Sequence, residues 1–355
     1  MVGGSNPPSP TFNQGSLNLR GNGITYDTGF FNAGVSTHEP FEPDLVKREM
    51  HIIHDDLHCN AVRVTGGNAD RLEIAATHAA GAGLEVWFCP FTCDLTTDDM
   101  LMVIDDCAQR AQRLGGHGAE IVLLMGSELG LVNKGFLPGD TLSERLGLLT
   151  SPDRLREHLG KVPGLINDFL GRAVTTARAH FGGKISYASL PFERVDWAPF
   201  DYISTDAAYR SIELADRYRS DIRNFVGQGK PAAITEFGCC TYRGAADRGG
   251  HGDSIVEWEG TAPVRLKGEY VRDEDEQARY LTELLDVFNR EGVDTAFVNT
   301  FACYHFPHRT DPLKDLDLAS YGVVKALEDR FGSAYPDMHW EPKVAFAALA
   351  DYYGR

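Results

Sequence analysis

The chain has 355 residues, room for one large domain or two ordinary ones, and its 43 % hydrophobic content is normal for a globular core. Lys and Arg number 34 against 51 Asp and Glu, a net charge of -17, which argues against a nucleic-acid partner. No apolar run approaches the roughly 20 residues that a bilayer span needs, so no membrane partner is expected.

Met1 to Gln14 is rich in Pro, Ser, Asn and Gly and has neither the basic start nor the apolar stretch of a secretory signal. Residues 1–20 read as a flexible tail and 21–355 as one catalytic domain. The seven cysteines (Cys59, Cys89, Cys93, Cys107, Cys239, Cys240 and Cys303) are odd in number and sit in or beside apolar strands. That pattern indicates a reduced, cytoplasmic protein rather than a disulfide framework.

In chain order, Gly23–Asp27 reads as a first strand. Asp44–Leu57 reads as a helix, with Val46, Met50, Ile53 and Leu57 on one face. Ala61–Val64 is the second strand, followed by an Ala-rich helix over Ala69–Ala82. Leu84–Phe88 is the third strand, and Thr96–Leu114 is a helix whose Asp98 and Asp99 suit its N-terminal dipole. Ile121–Met125 is the fourth strand and runs on to Glu128. Leu131–Pro152 reads as an ordered active-site loop, and Val162–His180 as a helix. Lys184–Ala188 and Tyr202–Asp206 are the fifth and sixth strands. After a helix over Ile212–Val226, Ala232–Thr235 is the seventh and delivers Glu236. Within Cys239–Asp273, the segments Ser254–Trp258 and Pro263–Lys267 predict a small hairpin. Helix Asp275–Arg290, strand Thr295–Asn299 and helix Lys343–Tyr353 complete the chain.

Eight strands alternating with helices, without a domain-scale linker, predict an α/β fold: a single (β/α)₈ TIM barrel, with a long loop after strand four and a hairpin-bearing loop after strand seven. The rival, a doubly wound open sheet, would show a Gly-rich phosphate turn after its first strand. Asp27-Thr-Gly-Phe-Phe is no such turn.

In a barrel the C-terminal strand tips ring one cleft. Glu128 and Glu236 would meet there, with Asp27, Arg63, Asp206, Tyr209 and Asn299 around them. Two carboxyls on one cleft suit glycoside cleavage: one protonated to help the leaving oxygen depart, the other ionised to attack or to activate water. Arg63, at the end of strand two, could hold one of them ionised.

The motifs Ile234-Thr-Glu-Phe-Gly238, Gly126-Ser-Glu128, Asn60-Ala-Val-Arg63 and Leu84-Glu-Val-Trp-Phe88 resemble those of the clan A glycoside hydrolases. The chain is also similar to actinobacterial proteins labelled abortive phage infection proteins. The clan resemblance covers about residues 20 to 353. It implies that Glu236 is the nucleophile and Glu128 the general acid/base, with Arg63 and Tyr209 as hydrogen-bond partners of the nucleophile. The clan usually has Asn before the acid/base, in contact with the sugar 2-hydroxyl; this chain has Ser127. Where the clan often has a Trp platform after strand eight, this chain has Asn299-Thr-Phe-Ala-Cys-Tyr304, so Phe301 or Tyr304 would serve. Trp258 in the hairpin could roof the cleft and stack on a sugar.

Asp206 and Glu193 are rival carboxylates after strands six and five, more in keeping with loop or cap roles. His305 and His308 follow strand eight, but no HExxH or CxxC pattern accompanies them, so neither a metal nor another cofactor is expected. Cys239-Cys240, just past Glu236, reads as packing. The expected partner is a small-molecule or carbohydrate substrate cleaved with retention. Two alternatives stand beside this reading: a biosynthetic enzyme using the same pair for acid/base chemistry on a small-molecule natural product, and a non-catalytic binding or phage-defence module.

Overall fold

In the computed structural model, residues 19–149 and 151–355 are described; residues 1–18 of the expected tail lie outside them. Eight parallel strands form one sheet: β1 Gly21–Asp27, β2 Ala61–Gly66, β3 Glu85–Pro90, β4 Ile121–Ser127, β5 Lys184–Ala188, β6 Ile203–Thr205, β7 Ala232–Phe237 and β8 Thr295–Val298. Their order is β5-β4-β3-β2-β1-β8-β7-β6. A parallel bridge between Ser189 and Thr205 brings the two ends together, and Asp206 N–H donates to Ser189 O at 3.0 Å. The fold is the expected (β/α)₈ barrel.

Seven helices cover it: α1 Pro43–Asp55, α2 Ala69–Gly81, α3 Thr97–Gly116, α4 Val162–Arg178, α5 Ala215–Val226, α6 Glu274–Glu291 and α7 Val344–Tyr353. The apolar faces read from the sequence are the buried ones: Val46, Met50 and Ile53 on α1, and Leu72, Ala75, Ala76 and Ala79 on α2. Side chains close the first turns. Asn68 accepts from the N–H groups of Asp70 and Arg71 ahead of α2, and Asp273 accepts from Glu276 N–H ahead of α6, each such cap being worth about 1 kcal/mol. α6 ends at Gly292, whose φ of +83° few other residues adopt. The strict alternation fails once. Between β5 and β6 the chain makes only the 3₁₀ turn Pro191–Glu193, with no α-helix.

Parallel strands buried on both faces explain the near-continuous apolar runs. Their inward residues fill the barrel. Trp87 lies 4.9 Å from the Tyr202 ring and 5.1 Å from the Phe297 ring, and Ala61, Val122, Leu124, Ala188 and Ala233 leave room for these rings. Each such aromatic ring removes about 150–250 Å² from water, roughly 4–6 kcal/mol of driving force. At the N-terminal end Arg20 ties Glu85, Asp294 and Thr295 together.

The excursions sit at the other end. After β4 come short helices Leu129–Val132, Leu142–Leu149 and Pro152–Leu159. The buried Arg145 ties the second of these to the first, donating to the carbonyls of Leu131, Val132 and Gly139 and pairing with Asp94. After β7 the expected hairpin forms from Val256–Glu259 and Ala262–Leu266. After β8 a long loop carries a second strand pair, Val324–Ala326 with Trp340–Pro342. Arg272, bound to Asp315 and Asp317, and Lys343, bound to Asp317, hold this loop. Among the described residues no helix is long and apolar enough to cross a membrane.

Candidate active site

The site is built on one guanidinium. Arg63 points into the barrel from β2 and is fully buried. Its Nη1 donates to Glu236 Oε1 at 2.9 Å and to Thr235 O at 3.1 Å. Its Nη2 donates to Ser127 Oγ at 3.0 Å and to Asp206 Oδ2 at 3.2 Å, with Cys89 Sγ at 3.6 Å. Ser127 Oγ in turn donates to Asp206 Oδ2 at 2.5 Å. A charge this deep persists only when paired and hydrogen-bonded, and removing one partner of such a pair typically costs about 3–5 kcal/mol. Arg63 therefore both neutralises and orients: Asp206 balances it from below and Glu236 is fixed above.

Two bulges bring these residues to one place. In β4 the register passes from Leu124 opposite Ser186 to Ser127 opposite Ala188; in β7 it passes from Ile234 opposite Ala296 to Phe237 opposite Val298. Each inserts one residue just before a glutamate, or across it, and re-aims the chain at the strand tip.

Glu236 keeps a small opening, 14 % of its side chain. Its Oε2 accepts from Tyr209 OH at 3.1 Å and, at 3.5 Å, from Asn299 Nδ2, which also donates to Tyr209 OH at 2.8 Å. Tyr209 packs edge-on to Tyr321 at 5.7 Å. Burial and the adjacent Glu236 carboxylate push the Tyr209 phenol well above its usual range, so it remains a donor.

Glu128 differs. Its backbone is left-handed, φ 50° and ψ 32°, a conformation costing a non-glycine residue about 1–3 kcal/mol unless its surroundings enforce it. Its carboxyl is half-buried and has no hydrogen-bond partner among the described residues. Burial pushes this carboxyl well above the usual range; Glu236, Asp206 and Glu193 add to the effect and Arg63 opposes it. Burial, then Asp206, push Glu236 up to about 7, while Arg63 and Tyr209 pull it back. Identical groups are thus split by environment. Arg63 and Tyr209 bond to Glu236 and pull it down, whereas no side chain bonds to the Glu128 carboxyl among the described residues.

Of the residues named from the sequence, Glu236, Glu128, Arg63, Tyr209, Asn299, Ser127 and Asp206 form one cluster. Asp27, Tyr304, Trp258 and Phe301 do not join it. Asp27 accepts from Gly29 N–H at 2.8 Å and from Thr37 Oγ1, binding the loop after β1. Tyr304 donates to the buried Glu49, which also accepts from Tyr26 and Trp340. The Tyr304 ring stacks on His38 at 4.2 Å and lines a lateral cavity of about 390 Å³ between α1 and the loop after β8. Trp258 stands 44 % exposed on the hairpin, 5.9 Å from the Phe306 ring. Phe301 is a core residue, edge-on to Trp340 at 5.3 Å.

Glu193 is buried and bonded to backbone. His308 pairs with Asp315, and the His305 ring lies tilted against Phe306 at 4.2 Å. Burial pushes the Cys239 and Cys240 thiols upward, in keeping with packing. Sequence reasoning missed Tyr187, Cys89, Thr235 and Glu49, none of which lies in a pattern that marks it. The roles of Asp206 and Glu193 were equally hidden, because both depend on partners from other strands.

No protein-family model matches the chain, and no curated protein matches it significantly. Solved structures do. A GH113 β-1,4-mannanase is 16 % identical with a TM-score of 0.58, over 95 % of this chain and 99 % of that one. The GH113 β-mannanase AaManA from Alicyclobacillus acidocaldarius, in complex with ManMIm, is 14 % identical with a TM-score of 0.58, over 96 % and 99 %. A β-glucuronidase from Parabacteroides merdae is 15 % identical with a TM-score of 0.52, over 93 % of this chain and 36 % of that one. None of these three concerns phage infection. At such identities the likeness is one of architecture: this chain is a (β/α)₈ barrel of the kind on which those glycosidases are built.

Proposed function

We propose that the protein is a retaining glycoside hydrolase acting on a small glycoside or oligosaccharide. The observation that carries the reading is the asymmetry of the carboxyl pair. Glu236 is held by Arg63 and Tyr209, while Glu128 beside it has no donor or cation of its own. Glu236 would attack the anomeric carbon as Glu128 gives its proton to the departing oxygen. Glu128, now a carboxylate, would take a proton from water, which displaces Glu236 and releases the sugar. This route expects a carboxyl separation of about 5–5.5 Å, against about 6.5–9.5 Å for inversion.

A panel of aryl β-glycosides tests the proposal. Glu236→Gln should abolish turnover in a folded protein, and Glu128→Gln should cost about 10²–10⁴-fold. A fluorosugar inactivator should leave a covalent adduct on Glu236. Full activity in Glu236→Gln, or a product of inverted configuration, would sink the mechanism.

One observation favours the biosynthetic alternative. Ser127 has its hydroxyl fully committed to Arg63 and Asp206 and is 0 % exposed, so the residue before the acid offers a sugar no contact. An enzyme that ignored every aryl glycoside yet lost activity on a natural product in Glu236→Gln would belong to that class. A barrel used only for binding has no use for an unpaired carboxyl as costly to ionise as Glu128.

A further inference from the structure

Glu193, in the turn after β5, is fully buried, and no cation pairs with it among the described residues. Its Oε1 accepts from Gly130 N–H at 2.8 Å and from Tyr187 OH at 2.7 Å; its Oε2 accepts from Leu190 N–H at 2.7 Å. Tyr187 OH accepts from Leu129 N–H at 2.8 Å, and Glu128 N–H donates to Ala188 O at 2.9 Å. Three consecutive peptide N–H groups, at 128, 129 and 130, are therefore all engaged by β5 and its turn. A Cβ at position 130 would stand 2.8 Å from Glu193 Oε1, so Gly130 is what lets the carboxylate come this close. These bonds enclose the left-handed Glu128, a conformation that persists only where its neighbours fix it.

We propose that Glu193 is a positioning residue for Glu128: through Gly130 and Tyr187 it holds the left-handed turn that carries the Glu128 carboxyl. The proposal rests on reading Glu128 as the proton donor. The charged groups that act on Glu128 are Glu236 on β7, Asp206 past β6, Glu193 past β5 and Arg63 on β2. Asp206 is the charged group acting on Glu193, and the Tyr187 hydroxyl on β5 and the N–H groups of Leu190 and Gly130 oppose it by hydrogen bonding. Burial pushes Glu193 up to about 7. In its ionised form Glu193 adds to the upward push that burial and Glu236 exert on the Glu128 carboxyl.

The test uses the whole chain and an infrared titration. Subtracting Glu128→Gln from the wild type isolates the protonated carboxyl band of Glu128. In Glu193→Gln the midpoint of that band should fall by about one pH unit, the lower end of what a neighbouring charge does. With a cleaved aryl glycoside, kcat should fall about 10- to 100-fold, the range of a small misplacement, with little change in KM. Tyr187→Phe keeps the charge but cuts the bond to Leu129, so it should lower kcat and leave the midpoint in place. An unchanged midpoint in Glu193→Gln overturns the proposal. Should that variant fail to fold, a folded Tyr187→Phe with wild-type kcat overturns it instead. If the midpoint falls as stated but the wild type cleaves no glycoside, the glycosidase reading fails and the positioning stands.

Discussion

At the scale of single residues, the unpartnered carboxyl of Glu128 should show in the stability of the protein. In the folded chain burial and three nearby carboxyls hold it well above the ordinary value of 4.5. In the unfolded chain it titrates at that value. Between the two, the folded state binds the extra proton, so stability conferred below about pH 4 is lost as pH rises toward the folded value. Glu128→Gln cannot titrate. It should match the wild type near pH 4 and melt higher at pH 7, by an amount of the order of 2–4 °C. Paired thermal melts at the two pH values check this, and a lower Tm for the variant at pH 7 would contradict it. A group whose removal both stabilises the fold and lowers turnover marks a site kept for chemistry.

At the scale of elements, the turn before Glu128 depends on Gly126. Its φ is +123°, and a Cβ there would lie 2.8 Å from Leu129 Cδ2. Gly126→Ala should therefore cost about 1–3 kcal/mol, read as a lower urea midpoint, and should also depress activity because Ser127 and Glu128 shift together. An unchanged midpoint would mean that the bulge is not what sets the strand tip. This element also shows where sequence reading stops. The eight strands were legible because buried parallel strands are apolar runs bounded by turn residues, and Glu128 and Glu236 stood out as acids closing such runs. The bulges were not, since an extra residue in a ladder leaves no period of its own. The fate of Tyr304 was hidden for another reason: its phenol goes to Glu49, 255 positions away, and only the folded chain brings α1, β1 and the loop after β8 together. The missing helix after β5 was closer to the surface of the sequence, because no helical period lies between Ser189 and Asp201.

At the scale of the molecule, the barrel is unevenly sealed. Most neighbouring strands share a ladder, but β5 and β6 meet through one bridge, backbone bonds from Asp201 N–H to Ile185 O and from Asp206 N–H to Ser189 O, and a set of hydroxyls. Ser186 Oγ donates to Tyr202 O at 3.0 Å, Ser189 Oγ to Ser204 O at 2.7 Å, and Thr205 Oγ1 to Ser189 O at 3.2 Å. No helix covers the connection between them. Local opening starts where backbone bonds are few and cover is thin. Amides of β6 should exchange with solvent about tenfold or more faster than those of β2 and β3. Mass-resolved hydrogen exchange checks this, and equal protection around the ring would refute it. Asp206 lies at the end of this seam, so its opening would reach the underside of Arg63.

The Arg63 guanidinium has a consequence for descent. It serves β2, β4, β7 and the tip of β6 at once, and its partners Ser127, Asp206 and Glu236 lie 64, 143 and 173 positions along the chain from it. A change at one of these positions leaves a buried charge or hydroxyl without its mate, so drift there is blocked unless another of the four changes with it. In any lineage that carries this barrel, the four positions should vary as a single character, and a sequence holding three of them without the fourth should have abandoned the site.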